Sequence, residues 1–436
     1  MAIAAVAFLA PSTLFAEGPA SVLSETEQHI LNAVDENYVA SLAFLEVVVN
    51  ENSGTMNHGG VRAVGDHFIG AFEEVGFSDT NWINQDDVNR AGHLVVERKG
   101  DLGPRLLLIG HLDTIFPKNS PYQTFRLDGD KAWGPGISDM KGGDVVMLYA
   151  LKALEDLDLI DSSQIKIIFT GDEEMTGKPI KKSREDLIKA AKWADIALNF
   201  EGGRSGIAVS SRRGASGWKL TVTGQRRHSS GIFSESTGAG AVFEAARILN
   251  AFYEELREEK YLTFNPGVIV GGTDVQYDES ATRGDAFGKT NVVAQKVVVH
   301  GGLRFISEEQ KANARTRMRE IAARHLPHTD AELEFIDSYP AMSPSDNNQQ
   351  LLEIFSDASE ALGYGAVVGN DPAKRGAADV SFAAPYVGAS MDGLGVYGSG
   401  GHTPEEYMEL SSLKDATARA AIFIYRITRE DAPNFR

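Results

Sequence analysis

The sequence predicts an α/β protein with a wound mixed sheet, interrupted by a smaller α+β unit. Three observations predict it. Short apolar runs alternate with segments whose apolar residues recur at helical spacing, the signature of a wound sheet. After Arg213 the texture changes to half-exposed alternation, as in Trp218-Lys-Leu-Thr-Val-Thr, and near Gln349 the first texture returns. The chain has 436 residues, too many for one ordinary core, so two domains are expected.

Each element follows in order. From 25 to 49, Ile30, Val34, Tyr38, Leu42 and Leu45 fall on one helical face. A second helix is expected over 62–75. Residues 105–109 and 164–170 read as strands, with a helix over 143–157 between them and a short strand at 196–200. The stretch from 218 reads as a half-exposed strand, followed by a helix over 239–258. Strands near Val268 and over 296–305, a helix over 308–325 and a strand over 331–336 complete a β-α-β-β-α-β order, which is a ferredoxin-like unit. The Gly- and Asp-rich segment 274–289 reads as a loop within it. A helix over 349–362, a strand ending near Met391 and a helix over 413–428 return the chain to the first sheet. The expected division is therefore 25–213 with 339–436 for the larger domain, and 214–338 for the inserted one.

Composition narrows the function. A net charge of −19 argues against nucleic acid, whose phosphates require clustered Lys and Arg. There is no cysteine, so any metal must be held by His and carboxylates. Residues 2–16 are mostly small and apolar and end in Leu14-Phe15-Ala16 before Glu17. They read as the core and cleavage end of a secretory signal over 1–16, which predicts export to the periplasm or beyond. That run is too short to span a bilayer, and no other hydrophobic span is present.

The chemistry gathers at strand ends. The run 106–109 leads into Gly110-His111-Leu-Asp113, and ligands in open α/β sheets bind beyond the carboxyl ends of strands. Acids then follow at Ser138-Asp139-Met140, Gly171-Asp172-Glu173-Glu174 and Phe200-Glu201, and His402 comes after two glycines. A dinuclear zinc hydrolase needs about four N/O ligands per ion. It needs a carboxylate bridging ions roughly 3.5–4 Å apart and a water acidified between them. It also needs a general base beside that water. His111, Asp139, Glu174, Glu201 and His402 supply five ligands, with Asp139, between Gly136 and Gly142, as the candidate bridge. Adjacent residues of an extended segment point opposite ways. One of Glu173 and Glu174 can therefore bind metal while the other faces the water, and Glu174 is assigned as ligand and Glu173 as general base. Asp113 is assigned as the acceptor for the other imidazole N–H of His111.

These residues stand in motifs: Gly-His111-Leu-Asp113-Thr, Trp-Gly-Pro-Gly-Ile-Ser-Asp139-Met-Lys-Gly-Gly, Thr-Gly-Asp-Glu173-Glu174, Phe-Glu201-Gly and Gly-Gly-His402. In order and spacing the chain resembles the co-catalytic dizinc peptidases and amidohydrolases that include glutamate carboxypeptidase, aminoacylase and succinyl-diaminopimelate desuccinylase. The exported glutamate carboxypeptidase-like members resemble it best. The resemblance implies a zinc exopeptidase-like catalytic domain with an inserted lid or dimerisation domain, and a homodimer. It gives one metal to His111, Asp139 and Glu201, and the other to Asp139, Glu174 and His402. It also implies that His228, in Gly224-Gln-Arg-Arg-His228-Ser-Ser-Gly, stabilises the oxyanion across subunits. Arg304 would bind the substrate's free carboxylate, and Asn291 would lie near the substrate. Two zinc ions are the implied cofactors, and the same ligands would hold cobalt or manganese.

The implied activity is cleavage of an amide or peptide bond next to an amino acid with a free carboxylate. The substrate would be a small peptide or an N-acyl amino acid. Two alternatives stay open: an aminoacylase or dipeptidase using the same site, and a metal-binding protein with a dead site. Glutamate-cleaving relatives carry Arg before a Pro-Ala-Phe segment, where this chain has Tyr339-Pro340-Ala341-Met342. Arg375, beside Gly376-Ala377-Ala378-Asp379, is a candidate substitute for that arginine.

Overall fold

The computed structural model describes residues 22–279 and 281–435; the signal-like segment lies outside the described residues. The main sheet has six strands in the order Asp79–Gln85, Arg90–Arg98, Ser163–Thr170, Leu102–His111, Ile196–Asn199, Ala389–Met391. The last four are parallel neighbours, and the first two are added antiparallel at one edge. The sequence reading did not include that edge pair. Asp79-Thr-Asn-Trp-Ile-Asn-Gln85 is mostly polar and half-exposed, so it lacks the apolar run of a central strand.

Side chains of the central strands alternate between two helical layers, as the two-residue period of a strand requires. Leu106, Leu108, Ile165, Ile167 and Leu198 pack with the helices Glu25–Asn50, Gly142–Glu155 and Leu410–Thr428. Leu107, Ile109, Ile168 and Ala197 pack on the other face with Leu187, Ala190 and Ala191 of the helix Glu185–Trp193 and with Val380 and Phe382. Burial on both faces is why these strands read as unbroken apolar runs. At the amino end, Ser24 and Glu27 form a capping box on the first helix. Glu27 also accepts from Nε of Arg426 at 2.6 Å, which ties the first helix to the last.

The inserted unit follows the expected β-α-β-β-α-β order and has its own core. Its antiparallel sheet runs Thr263–Gly272, Lys296–Phe305, Gly214–Gly224, Thr329–Asp337. Trp218, Leu220 and Val222 pack with Ile248 and Phe252 of Gly240–Leu256 and with Met318 and Ile321 of Glu308–Ala322. The segment 274–289 is not the loop expected. It carries a hairpin in which Asp274–Asp278 pairs with Arg283–Phe287. Its polar composition conceals an alternation that buries Val275 while Asp274 and Gln276 stay exposed.

Candidate metal centre

The parallel strands bring the site together. His111 is the last residue of Leu102–His111 and is in register with Thr170. Glu173 and Glu174 follow Thr170, and Glu201 follows Ile196–Asn199, the neighbour on the other side. Three of the strand-end segments are therefore adjacent, at the carboxyl edge where open sheets bind ligands. Asp139 lies in the turn Ile137–Lys141 that opens the crossover helix Gly142–Glu155. Gly136 enters that turn at φ 73°, a conformation that L side chains rarely adopt. At Gly143 a Cβ would lie 1.8 Å from the carbonyl oxygen of Phe200, so glycine lets the helix start approach the Glu201 strand.

Two ligand groups result: His111, Asp139 and Glu201, and Asp139, Glu174 and His402. Asp139 belongs to both and divides its oxygens between them. Its Oδ1 is 3.3 Å from Nε2 of His111, and its Oδ2 is 3.1 Å from Nε2 of His402. Glu201 lies 3.7 Å from His111 Nε2, and Glu174 lies 3.0 Å from His402 Nε2. Ligands held about 2.0–2.1 Å from a tetrahedral zinc stand about 3.3 Å from one another. These separations therefore suit an ion in each group, and the donor set of imidazole and carboxylate suits zinc. Hydrogen bonds to the two histidines hold Asp139 well below the usual carboxylate range against the effect of burial. Burial pushes Glu201 up to about 8 and Glu174 up to about 7, with the charge of Asp139 adding to both shifts and His111 opposing them. Carboxylates crowded this closely favour a cation between them.

The frame behind the ligands differs from expectation in one respect. Nδ1 of His111 lies 2.9 Å from the backbone carbonyl of Asp113 and 3.6 Å from its Oδ1. The carbonyl is the nearer acceptor, and a proton donated there leaves Nε2 free to ligate. The Asp113 carboxylate instead accepts the backbone N–H groups of Glu173 at 2.9 Å and Glu174 at 3.2 Å, and the Thr55 hydroxyl at 2.6 Å. It thus orients the candidate base and the candidate ligand together. The Glu173–Glu174 segment turns rather than runs extended. The Glu173 carboxylate makes no hydrogen bond within the described residues, and burial raises it well above the usual range.

Sequence reasoning missed several groups. Glu406 is fully buried and accepts from the backbone N–H of Gly136 at 2.9 Å, of Ser138 at 2.8 Å and of Asp139 at 3.1 Å. It also accepts the Ser138 hydroxyl at 3.0 Å. Its place four residues after His402 was the one available signal. Arg184, fully buried, spans Asp172 and Asp379, and Asp172 also accepts the N–H of Gly177 at 2.8 Å, so this cluster braces the Glu173–Glu174 turn. Tyr339 donates or accepts at Thr176 Oγ1, 2.7 Å away, and packs on Phe382. Arg375 donates to the carbonyl of Gly202, 2.6 Å away, next to Glu201.

The inserted unit holds the remaining residues. His228 and Asn291 are brought together, since Ser229 N–H donates to the Asn291 carbonyl at 2.9 Å and His228 bridges Val292. Their hydrogen bonds among the described residues are local and reach none of the metal ligands; Nδ1 of His228 lies 2.8 Å from Ser230 Oγ. Arg304 forms no ion pair with the described residues. Partial burial and the charge of Arg213 lower its pKa. Arg213, also without an ion pair among the described residues, donates to Thr263 Oγ1 and to the Ala373 carbonyl across the domain junction.

The profile of Peptidase family M20/M25/M40 matches residues 107–426. The chain is 28% identical over 424 residues to carboxypeptidase G2 of Pseudomonas sp. (strain RS-16), covering 95% of each. It is 25% identical over 340 residues to succinyl-diaminopimelate desuccinylase of Gluconobacter oxydans, covering 73% of this chain and 81% of the relative. Among solved structures, aminopeptidase PepT of Bacillus cereus superposes with a TM-score of 0.69 at 17% identity, over 90% of this chain and 99% of that one. A dinuclear metal-binding M20 peptidase of Bacillus subtilis gives 0.61 at 12% identity, over 90% and 99%. These two likenesses show a shared fold. The match of 107–426, which spans both candidate ligand groups, shows that the chain belongs to peptidase family M20/M25/M40 and is a metal-dependent peptidase.

Proposed function

We propose that the protein is a dizinc carboxypeptidase-like hydrolase that cleaves the amide bond next to an amino acid with a free carboxylate. The observation that carries this reading is the shared Asp139, one oxygen toward each ligand group, with Glu173 near enough to interact electrostatically with His111, Glu201 and Glu174. When bound, the two ions would acidify a water and polarise the scissile carbonyl. Glu173 takes the proton from the attacking water and returns it to the leaving amine; its unbonded carboxylate and its amide, fixed by Asp113, suit that transfer. Arg304, with Arg213 at its side, holds the terminal carboxylate through charge-assisted hydrogen bonds.

His228 and Asn291 serve the site of a second copy, because their own contacts keep them on the inserted unit. There His228 donates a hydrogen bond to the developing oxyanion. This makes the working form a homodimer. The small, apolar composition of residues 2–16 supports export from the cytoplasm. No helix among the described residues is long and apolar enough to cross a membrane.

One observation favours the aminoacylase or dipeptidase version over glutamate release. By the sequence resemblance Tyr339 stands where glutamate-cleaving relatives carry an arginine, and its hydroxyl is engaged with Thr176. The test is release of amino acids from a panel of N-acyl amino acids and dipeptides by zinc-loaded protein, with a chelator control. Chelator-sensitive release of the carboxy-terminal residue supports the reading. No release from any member by protein holding two metals per chain would refute it.

A further inference from the structure

We infer that the acyl side of this site is an apolar pocket that selects substrates with an extended apolar acyl group. The inference rests on the hydrolase reading above. A pocket of about 300 Å³ abuts the ligand Glu174, and its walls include Met56, Ile115, Pro117 and Met175. A dry cavity of about 150 Å³ already accepts benzene, so an aromatic ring or a short alkyl chain fits here.

The walls carry large apolar side chains that reach solvent. Met56 is 51% exposed, Ile115 38% and Met175 54%. Concave sites that bind small molecules are lined mainly by apolar side chains, and three large ones gather at this rim. Two of the three are methionines, whose flexible, polarisable chains mould to varied shapes. The three come from separate loops, yet each is tied to the frame of the metal site. Met56 follows Thr55, whose hydroxyl donates to Asp113; Ile115 lies two residues past Asp113; Met175 follows Glu174. The walls and the ligand set therefore hold one geometry.

The pocket and the carboxylate holders also belong to different parts of the fold. Its lining residues all belong to the larger domain, whereas Arg213 and Arg304, the carboxylate holders, stand at and beyond the junction with the inserted unit. A substrate whose carboxylate lies at the arginines presents its acyl group to Met56, Ile115 and Met175. Lys118 also lines the pocket, and it would favour an acidic acyl group such as succinyl. Against this single flexible cation stand three exposed apolar side chains.

The test uses zinc-loaded full-length protein and acetyl, hexanoyl, benzoyl and succinyl derivatives of one amino acid. Between acetyl and hexanoyl, kcat/KM is expected to rise about fourfold per methylene that enters the pocket. In the double variant Met56→Ser/Met175→Ser the hexanoyl-to-acetyl ratio is expected to fall at least about tenfold. Both side chains are half-exposed, so metal content and thermal stability serve as checks that the fold survives. Calorimetric binding of the free acids supplies a second readout that needs no turnover: hexanoate should bind more tightly than acetate, and the variant should lose the difference. Cleavage with a flat or succinyl-favouring profile and equal binding of the two acids would overturn the pocket but leave the hydrolase reading. Tighter binding of hexanoate, lost in the variant, with no substrate cleaved, would support the pocket and overturn the hydrolase reading.

Discussion

Glu406→Gln is the perturbation that tests most directly how the bridging carboxylate is held. Oε2 of Glu406 accepts the N–H of Gly136, and Oε1 accepts the N–H of Ser138, the N–H of Asp139 and the Ser138 hydroxyl. Glutamine keeps the size but turns one oxygen into a donor. In its milder orientation the new NH₂ faces the Gly136 N–H, and one buried donor is left unsatisfied at a cost of about 1–3 kcal/mol. In the other orientation three donors lose their acceptor. The turn that presents Asp139 then loses its fixed shape. Loss of such an outer hydrogen-bond partner typically lowers metal affinity about 10–100-fold. The assay is calorimetric titration of metal-free protein with zinc, alongside chemical denaturation of the same metal-free protein. Weaker binding and lower stability together are expected, while Glu405→Gln, an exposed neighbour, changes neither. Two wild-type zinc affinities with an unchanged unfolding midpoint in Glu406→Gln would refute the reasoning.

Three other outcomes are expected. Glu173→Gln should keep two metals per chain by elemental analysis and lose about 10²–10⁴-fold in turnover, the usual share of a general base. Arg304→Ala should raise KM for a substrate with a free carboxylate by about tenfold or more, with a smaller change for its carboxamide analogue. Glu27→Gln should keep the amino-terminal cap but remove the charge that meets Arg426, lowering the unfolding free energy by about 1–2 kcal/mol at neutral pH. Burial raises Glu27, but Arg426 and the cap more than offset it and leave the folded value below 4.5. The stabilisation is therefore full above pH 4.5 and lost as pH falls through the folded value, so wild-type and variant unfolding curves should converge in acid.

The five candidate metal ligands were readable because each stands next to a local signal. Leu106 to Ile109 announces a buried strand, and His111 follows within two residues; Ile165 to Phe169 does the same for Glu173 and Glu174. The inserted unit was readable from its alternation, since Trp218, Leu220 and Val222 face one core. The hairpin over 274–287 was not, because its apolar alternation is too sparse to stand out among Gly and Asp.

Partners distant in the chain left no such mark. Glu406 meets Ser138 from 268 positions away, Arg184 meets Asp379 from 195, and Arg213 meets Ala373 from 160. Amphipathic period and motif spacing are local properties, set by the geometry of a turn of helix or a pair of strand residues, and they carried the fold class, the candidate ligand set and the candidate base. The order of the strands in the sheet lies outside any local pattern. It arises from packing both faces of the central strands at once, and it decides which loops meet at the carboxyl edge. That meeting assigned the Asp113 carboxylate to the amides of Glu173 and Glu174, gave Asp139 its clamp, and set Met56, Ile115 and Met175 around one pocket.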